Sequence, residues 1–377
     1  DVATGSNGYN VANILNAITV EGAPSWTDQL NSLFYLSNSQ LNDAYSQIIP
    51  TNLKAFAIIQ ENNGIRVQES ISYRFQNLLD QMQCLKQQGC NSKKYPIEMW
   101  VEGLYTHLSQ SSKEIKSNYF DGYHSSTGGG ALGIDLNFLD CCYFGVMGAG
   151  TSTSLKWVDD GGSGDIYTGY GGVYFTAIGN GPYVDTSLLI GSSTYKARRH
   201  IIYPEVNETA ESKHQGMQYL AHLDFGWNFL FKAYSLRFFE SADYILQHEN
   251  RFNEHGAGVL DLQIRSTAPQ LFRNELGLNF AKCFRVSKQN TLMADIKLSW
   301  VLEERFNGEN FVSNFENREN ETFTSAGYFP NRSLFSPGAS LTANFCNNRA
   351  QVSLNYDAEL CPGYNDQAFQ AQVSFRF

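Results

Sequence analysis

The last nine residues of the chain alternate strictly between apolar and polar side chains. The apolar positions end on an aromatic residue and comprise Phe369, Ala371, Val373, Phe375 and Phe377. A tilted β-strand of about 9 residues is long enough to cross a bilayer, and alternation with a period of 2 is typical of membrane barrels. The C-terminus therefore predicts a barrel strand whose apolar side faces lipid and whose polar side faces the lumen.

Composition restricts the ways in which this chain can occupy a membrane. Only 17% of the residues are charged and 14% are aromatic, and no apolar run approaches the length of a transmembrane helix. A membrane protein of this kind must therefore cross the bilayer with β-strands. In lipid, strands satisfy all their backbone hydrogen bonds only when they close into a barrel. The net charge of -10 argues against nucleic acid as a partner.

Two regions separate near residue 96. Apolar residues in the first part of the chain recur at helical spacing, which predicts three or four short helices. The most regular of these helices begins near Ile65. We therefore divide the chain into a pre-barrel helical segment (1–64), a helix with a linker (65–95) and a barrel (96–377).

The region after residue 96 predicts about 12 strands, joined by connections that alternate between long and short. The stretch from Val259 to Phe284 counts as one strand, because its apolar residues keep the same parity across Pro269. Splitting it would place the longest loop among the short turns, whereas bacterial barrels have short periplasmic turns and an even number of strands. The predicted fold class is an all-β transmembrane barrel of about 12 antiparallel strands, preceded by a short helical region.

Several local patterns resemble those of one family of barrels. The segment Gly181–Gly191 contains an aromatic-Val-Asp strand, Phe252–Ala257 contains Phe-x-Glu-x-Gly-Ala, and Leu271–Leu278 resembles a Leu-Arg-x-x-Leu-Gly strand. The sequence also has a helical module around residues 36–50 and ends on Phe377. The order of all these patterns along the chain resembles that of the monomeric autotransporters. The sequence is therefore similar to the C-terminal translocator of that family over nearly its whole length.

The resemblance implies a machine of type V secretion in the bacterial outer membrane. A translocator of this family has 12 strands with an α-helix in the lumen, and it exports its own N-terminal passenger polypeptide to the cell surface. We therefore expect a monomer without enzymatic activity, whose partners are outer-membrane lipid, the barrel-assembly machinery and the passenger, which stays at the surface or is released. The machinery would recognise the terminal strand through Phe369, Val373, Phe375 and Phe377, and the helix in residues 65–95 would plug the lumen.

Charged residues on the plug helix and on lumen-facing strand positions are the candidate plug contacts. Arg66 and Arg74 are expected to pair with acidic wall residues, which would hold the helix and limit ion leak. The alternative is a polar, hydrated lumen without specific pairs. The candidate set is Arg66, Glu69, Arg74, Glu98, Glu102, Asp224, Arg265 and Glu275.

Asn62 and Asn63 precede the predicted plug helix. Some relatives of the family cut their passenger off inside the pore between two Asn residues, by cyclisation of an Asn side chain onto its own backbone. The resemblance therefore makes this pair a candidate for passenger cleavage. The alternative is a polar Asn-Asn-Gly turn that ends at Gly64.

The cysteines and histidines give no metal-binding spacing, so the sequence predicts neither a metal nor a cofactor. Cys84 and Cys90 flank a short loop and are candidates for a disulfide in an oxidising periplasm. The chain has seven cysteines in all, so at least one thiol is free or pairs with another molecule.

Two other function classes remain open at this point. An outer-membrane diffusion porin would need more strands, usually about 16, and an open lumen without N-terminal helices. A barrel hydrolase would use a His with a carboxylate, for which His222 and Asp224 lie on one face of a strand. Such residues are more often solvated parts of the lumen wall, and no GxSxG elbow is present.

Overall fold

The structure, a computed structural model, describes residues 6–88, 95–115, 118–139, 141–231, 233–287, 290–345 and 349–377, with the backbone alone over 80–88. Four α-helices precede the strands, and they are α1 (Asn7–Glu21), α2 (Thr27–Phe34), α3 (Asn38–Ile48) and α4 (Lys54–Gln88). Among the residues described, none of these helices has both the length and the apolar character needed to cross a membrane.

Eighteen strands follow the helices in the described parts of the chain. They are β1 (Ile97–Gln110), β2 (Lys113–Ile115), β3 (Asn118–Phe120), β4 (Tyr123–Asn137), β5 (Cys142–Trp157), β6 (Gly162–Ile178), β7 (Pro182–Tyr203), β8 (Val206–Phe231), β9 (Tyr234–Glu249), β10 (Phe252–His255), β11 (Leu262–Ile264), β12 (Gln270–Arg285), β13 (Thr291–Phe306), β14 (Asn310–Phe315), β15 (Phe323–Ala326), β16 (Arg332–Phe345), β17 (Ala350–Cys361) and β18 (Tyr364–Arg376).

Twelve of the strands form one closed antiparallel ring, in the order β1, β4 to β9, β12, β13 and β16 to β18. The ring closes because β1 pairs with β4 on one side and with β18 on the other, so that Glu98 lies opposite both Asp135 and Arg376. The Phe377 amide adds a hydrogen bond of 3.0 Å to the Ile97 carbonyl. Closure leaves no unpaired edge in the ring, and the predicted barrel of 12 strands is confirmed.

Side chains alternate between the two faces of the ring. On β1, Met99 and Val101 are exposed on the outside, whereas Glu98 and Glu102 are buried inside. The terminal strand follows the same rule, since Phe369 and Phe375 are exposed and their polar neighbours are buried. This apolar outside and polar inside is the arrangement of a lipid-embedded barrel.

The connections define the two sides of the barrel. The longest of them, at 111–122, 250–269 and 307–331, all lie on one side together with short turns at 204–205 and 362–363, whereas the connections on the side of the chain terminus Phe377 are all short. Short turns face the periplasm in bacterial barrels. We therefore call the side of the long connections the outer side.

Helix α4 runs through the lumen from the outer side at Lys54 towards the periplasmic side. It begins well before Ile65, so the predicted helix start was wrong, and Asn62 and Asn63 lie inside the helix instead of in a turn. Glycine weakens a helix by about 1 kcal/mol, but a Cβ at Gly64 would lie 2.7 Å from Gln218 Oε1. Glycine therefore lets the helix approach the wall here, and contacts with the wall stabilise a segment whose local sequence favours a turn.

The outer connections fold into a small sheet of their own. Strand β10 pairs with the outer part of β8, and β11, β14 and β15 follow in order. Arg265 follows this sheet's β11 and is exposed to solvent, so its predicted lumen position was wrong. The predicted continuous strand was wrong, because β11 pairs with β10 and β14 of the outer sheet. The chain meets β9 again only at Thr267, and β12 begins at Gln270.

Candidate functional site in the barrel lumen

Arg66 is the first cation that joins α4 to the wall. Its guanidinium donates from Nε to Asp366 Oδ2 at 3.0 Å, and from Nη1 to Glu69 on the next turn of the helix at 2.8 Å. Nη2 also lies 3.3 Å from Glu359 Oε1. Arg66, Asp366 and Glu359 are almost completely buried, and charge-assisted hydrogen bonds of this kind are about twice as strong as neutral ones.

Arg74, two turns further along α4, also forms ion pairs with the wall. Its Nη2 lies 2.5 Å from Glu98 Oε2, and its Nε lies 2.6 Å from Asp135 Oδ2. Glu98 is shared with Arg376 of the terminal strand, whose Nε lies 2.6 Å away. The structure thus brings Arg74 together with one predicted acid, Glu98, and with a second acid that the sequence reasoning did not select.

Hydrogen bonds donated by uncharged side chains line the lumen between the two arginines. Ser70 donates to Glu102 Oε1 at 2.5 Å, and Gln372 donates to Glu102 Oε2 at 3.0 Å. Gln370 and Gln372 also donate to main-chain carbonyls of α4, at Arg66 and Ser70. Glu102 therefore contacts the helix through a hydroxyl, and β1 and β18 hold α4 between Arg66 and Arg74.

The opposite wall carries its own charge cluster. Glu275 accepts from Ser299 at 2.6 Å and from Arg273 at 3.2 Å, and Lys297 lies 3.5 Å from it. Asp224 accepts from the Tyr183 hydroxyl at 3.1 Å. Asp224 and Glu275 therefore do not pair with Arg66 or Arg74 as expected, because other wall residues already bond to their carboxylates.

A cavity of about 70 Å³ separates this cluster from α4. His222, which lines it, bonds through Nδ1 to Asp243 Oδ1 at 2.7 Å. His222 of β8 therefore pairs with Asp243 of the neighbouring strand β9 instead of with the candidate partner Asp224. The cross-strand register places His222 directly opposite Asp243, which residue spacing along one strand does not reveal.

The outer half of α4 is held by an ion pair as well as by neutral contacts, since Glu61 Oε2 lies 2.8 Å from the Nε of Arg305 on β13. Asn63 donates to Thr153 at 3.0 Å and accepts from Thr127 at 3.0 Å. Above it, the buried Lys54 ammonium lies 4.1 Å from the centre of the Phe311 ring, and desolvation by burial lowers the pKa of Lys54. Cation–π contact is strongest in such desolvated places, so this lysine helps close the outer mouth.

The candidate disulfide lies outside the described residues, since neither the Cys84 side chain nor Cys90 belongs to them. Sequence reasoning also missed Asp135, Glu359 and Asp366, although all three lie on lumen-facing positions. Strand parity would have selected them: Asp366 shares a face with Gln370 and Gln372 on β18.

No curated protein matches the chain, but a family model and solved structures do. Residues 99–357 match the model described as the autotransporter β-domain. The translocator domain of the autotransporter NalP from Neisseria meningitidis is 13% identical, with a TM-score of 0.63 over 86% of this chain and 98% of that one. The β-domain of the Bordetella autotransporter BrkA is 17% identical, with a TM-score of 0.56 over 75% and 100% of the two chains. Because the family model covers more than half of the sequence, the chain belongs to the autotransporter β-domain family.

Proposed function

We propose that this barrel exports a polypeptide joined to its own N-terminal end, and that α4 is the last part of that polypeptide, left in the lumen after export. The observation that carries the proposal is the path of the chain. Residues 6–53 lie on the outer side, whereas the first barrel strand begins at Ile97 on the periplasmic side. Helix α4 joins the two through the lumen.

The lumen fits such a role physically. A barrel of this size holds a helix but is too narrow for a folded domain, so the passenger must fold after it has crossed. The ion pairs of Arg66 and Arg74 join the helix to β18 and to β1, the two strands whose pairing closes the ring. These pairs account for a helix that stays in place when export is complete and limits ion leak.

The filled lumen is also the physical argument against a diffusion porin. A porin conducts solutes through an open channel, whereas α4 buries its polar side chains against the wall over many turns. A barrel hydrolase finds little support, since His222 and Asp243 lie beside the plug and not on an outer surface. No covalent step is required of the barrel in this proposal.

The partners proposed for the barrel follow from its surface. Lipid would cover the apolar outside, and the assembly machinery would recognise the terminal strand with Phe369, Val373, Phe375 and Phe377. We propose that the barrel works as a monomer in the outer membrane, with the passenger at the cell surface. Cleavage between Asn62 and Asn63 would detach the passenger, but a continuous helix restrains the cyclisation of an Asn side chain onto its own carbonyl.

Export is tested by placing an epitope at the N-terminal end of the chain. Intact cells that produce the protein should bind an antibody against the epitope, and external protease should remove it. A variant without Phe377 serves as a control for barrels that do not assemble. If the barrel folds in the outer membrane while the epitope stays protected in the periplasm, the proposed function is wrong.

A further inference from the structure

The sheet of the outer connections, formed by β10, β11, β14 and β15, ends at an edge strand that side chains of α1 complete. Asn7 Nδ2 donates to the Ala326 carbonyl at 2.7 Å, and the Ala326 amide donates to Asn7 Oδ1 at 2.8 Å. Asn10 Nδ2 donates to the Thr324 carbonyl at 2.7 Å. The two amide side chains thus occupy the positions that the main chain of another strand would take, and they satisfy an edge that would otherwise be open.

Apolar burial joins the same two parts of the chain. Trp26 packs edge-on against Phe315 of β14, with ring centres 4.9 Å apart. One buried cluster includes residues from both sides, among them Val11, Leu15, Ile18, Leu262, Phe315 and Phe323. Burying each such side chain contributes about 1.5–3 kcal/mol. The interface therefore resembles the interior of a domain more than a loose surface contact.

Arg199 of β7 forms a third contact, at the C-terminal end of α3. It donates to the carbonyls of Gln47 at 2.5 Å and Ile48 at 3.1 Å. Glu254 of β10 holds the same guanidinium through two hydrogen bonds, of 3.0 Å and 2.5 Å. A buried cation at this end of a helix satisfies carbonyls that have no partner within the helix.

We infer that the outer sheet is a binding site for residues 6–53, and that it retains this segment on the barrel without a covalent link. Once the chain is cut within residues 36–63, the upstream part would stay attached through the edge of β15 and the shared apolar core. The role of this retention rests on the proposed function. If the barrel exports a passenger, a passenger cut at the pore would remain at the cell surface instead of being released.

The experiment cuts the folded full-length chain at an exposed turn. Tyr35 is 90% exposed between α2 and α3, so a protease recognition sequence inserted after it should be accessible. The purified protein is cut in detergent, and gel filtration then shows whether the N-terminal fragment elutes with the barrel. We expect the fragment to co-elute, and its release from a barrel that remains folded would overturn the inference.

A matched pair of variants tests the contacts themselves. Replacing Asn7 and Asn10 with alanine should speed dissociation of the cut fragment at least about tenfold, or about 1.4 kcal/mol. Replacing Asn13 and Asn16, which are exposed on the same helix, should leave the rate unchanged. Equal rates for both double variants would also overturn the proposed site.

The two proposals fail separately. Retention is measured on folded protein after the cut, and so it does not depend on how the segment reached the outer side. If the fragment stays bound but the epitope never reaches the cell surface, the export proposal falls alone. If export succeeds and the fragment leaves, retention falls alone.

Discussion

The ion pairs of Arg74 lead to a quantitative prediction about how firmly the lumen is closed. Replacing Arg74 with methionine keeps much of the side-chain volume but removes the charge that faces Glu98 and Asp135. Glu98 keeps its contact with Arg376, whereas Asp135 loses its cation in a buried place. Removing one partner of a buried ion pair costs about 3–5 kcal/mol.

The substitution destabilises the state in which α4 occupies the lumen. A loss of that size lowers the equilibrium constant for the plugged state by a factor of about 10² to 4 × 10³. Openings of the variant in planar lipid bilayers should therefore be at least about 100-fold more frequent than those of the wild type. Conductance traces at constant voltage measure this frequency directly.

Two further variants make the measurement decisive. Replacing Arg198, an exposed residue that pairs with Glu211 on the outer surface, should leave the opening frequency unchanged, since exposed pairs contribute about 0–1 kcal/mol. Adding Asp135→Asn to Arg74→Met should restore closure, because the uncompensated carboxylate is then gone. If Arg74→Met opens no more often than the Arg198 variant, charge pairing is not what holds the plug.

Three other outcomes are expected. Deleting Phe377 removes an exposed aromatic ring and a hydrogen bond at the seam of the ring, so the yield of folded, heat-modifiable barrel in outer membranes should fall several-fold; an unchanged yield would count against the seam. Asn62→Ala should leave the chain as intact as in the wild type, because α4 is continuous there; a wild-type fragment that this substitution abolishes would demonstrate self-cleavage. The sulfurs of Cys141 and Cys142 lie 3.6 Å apart, so oxidised glutathione should link them reversibly and protect both from maleimide, as labelling with and without reductant will show.

The partners of the plug arginines show where sequence reasoning reached its limit. Lumen-facing positions follow from the period of 2 along each strand, and this local rule placed Glu98, Glu102, Asp224 and Glu275 inside the barrel. It could not decide which of them meets α4. Arg66 bonds with Asp366, 300 positions away, because the depth of the helix and the register of the ring bring them to the same level.

The amino-acid sequence by itself determined the closed barrel, the even number of strands and the polar character of the lumen, because each follows from local alternation and from the need to satisfy backbone groups in lipid. Only the tertiary structure decided that the helix begins at Lys54, that Arg265 lies outside, and that residues 6–53 pack on the outer sheet. These features depend on contacts between segments far apart in the chain, whose packing outweighs local turn signals such as Asn62-Asn63-Gly64.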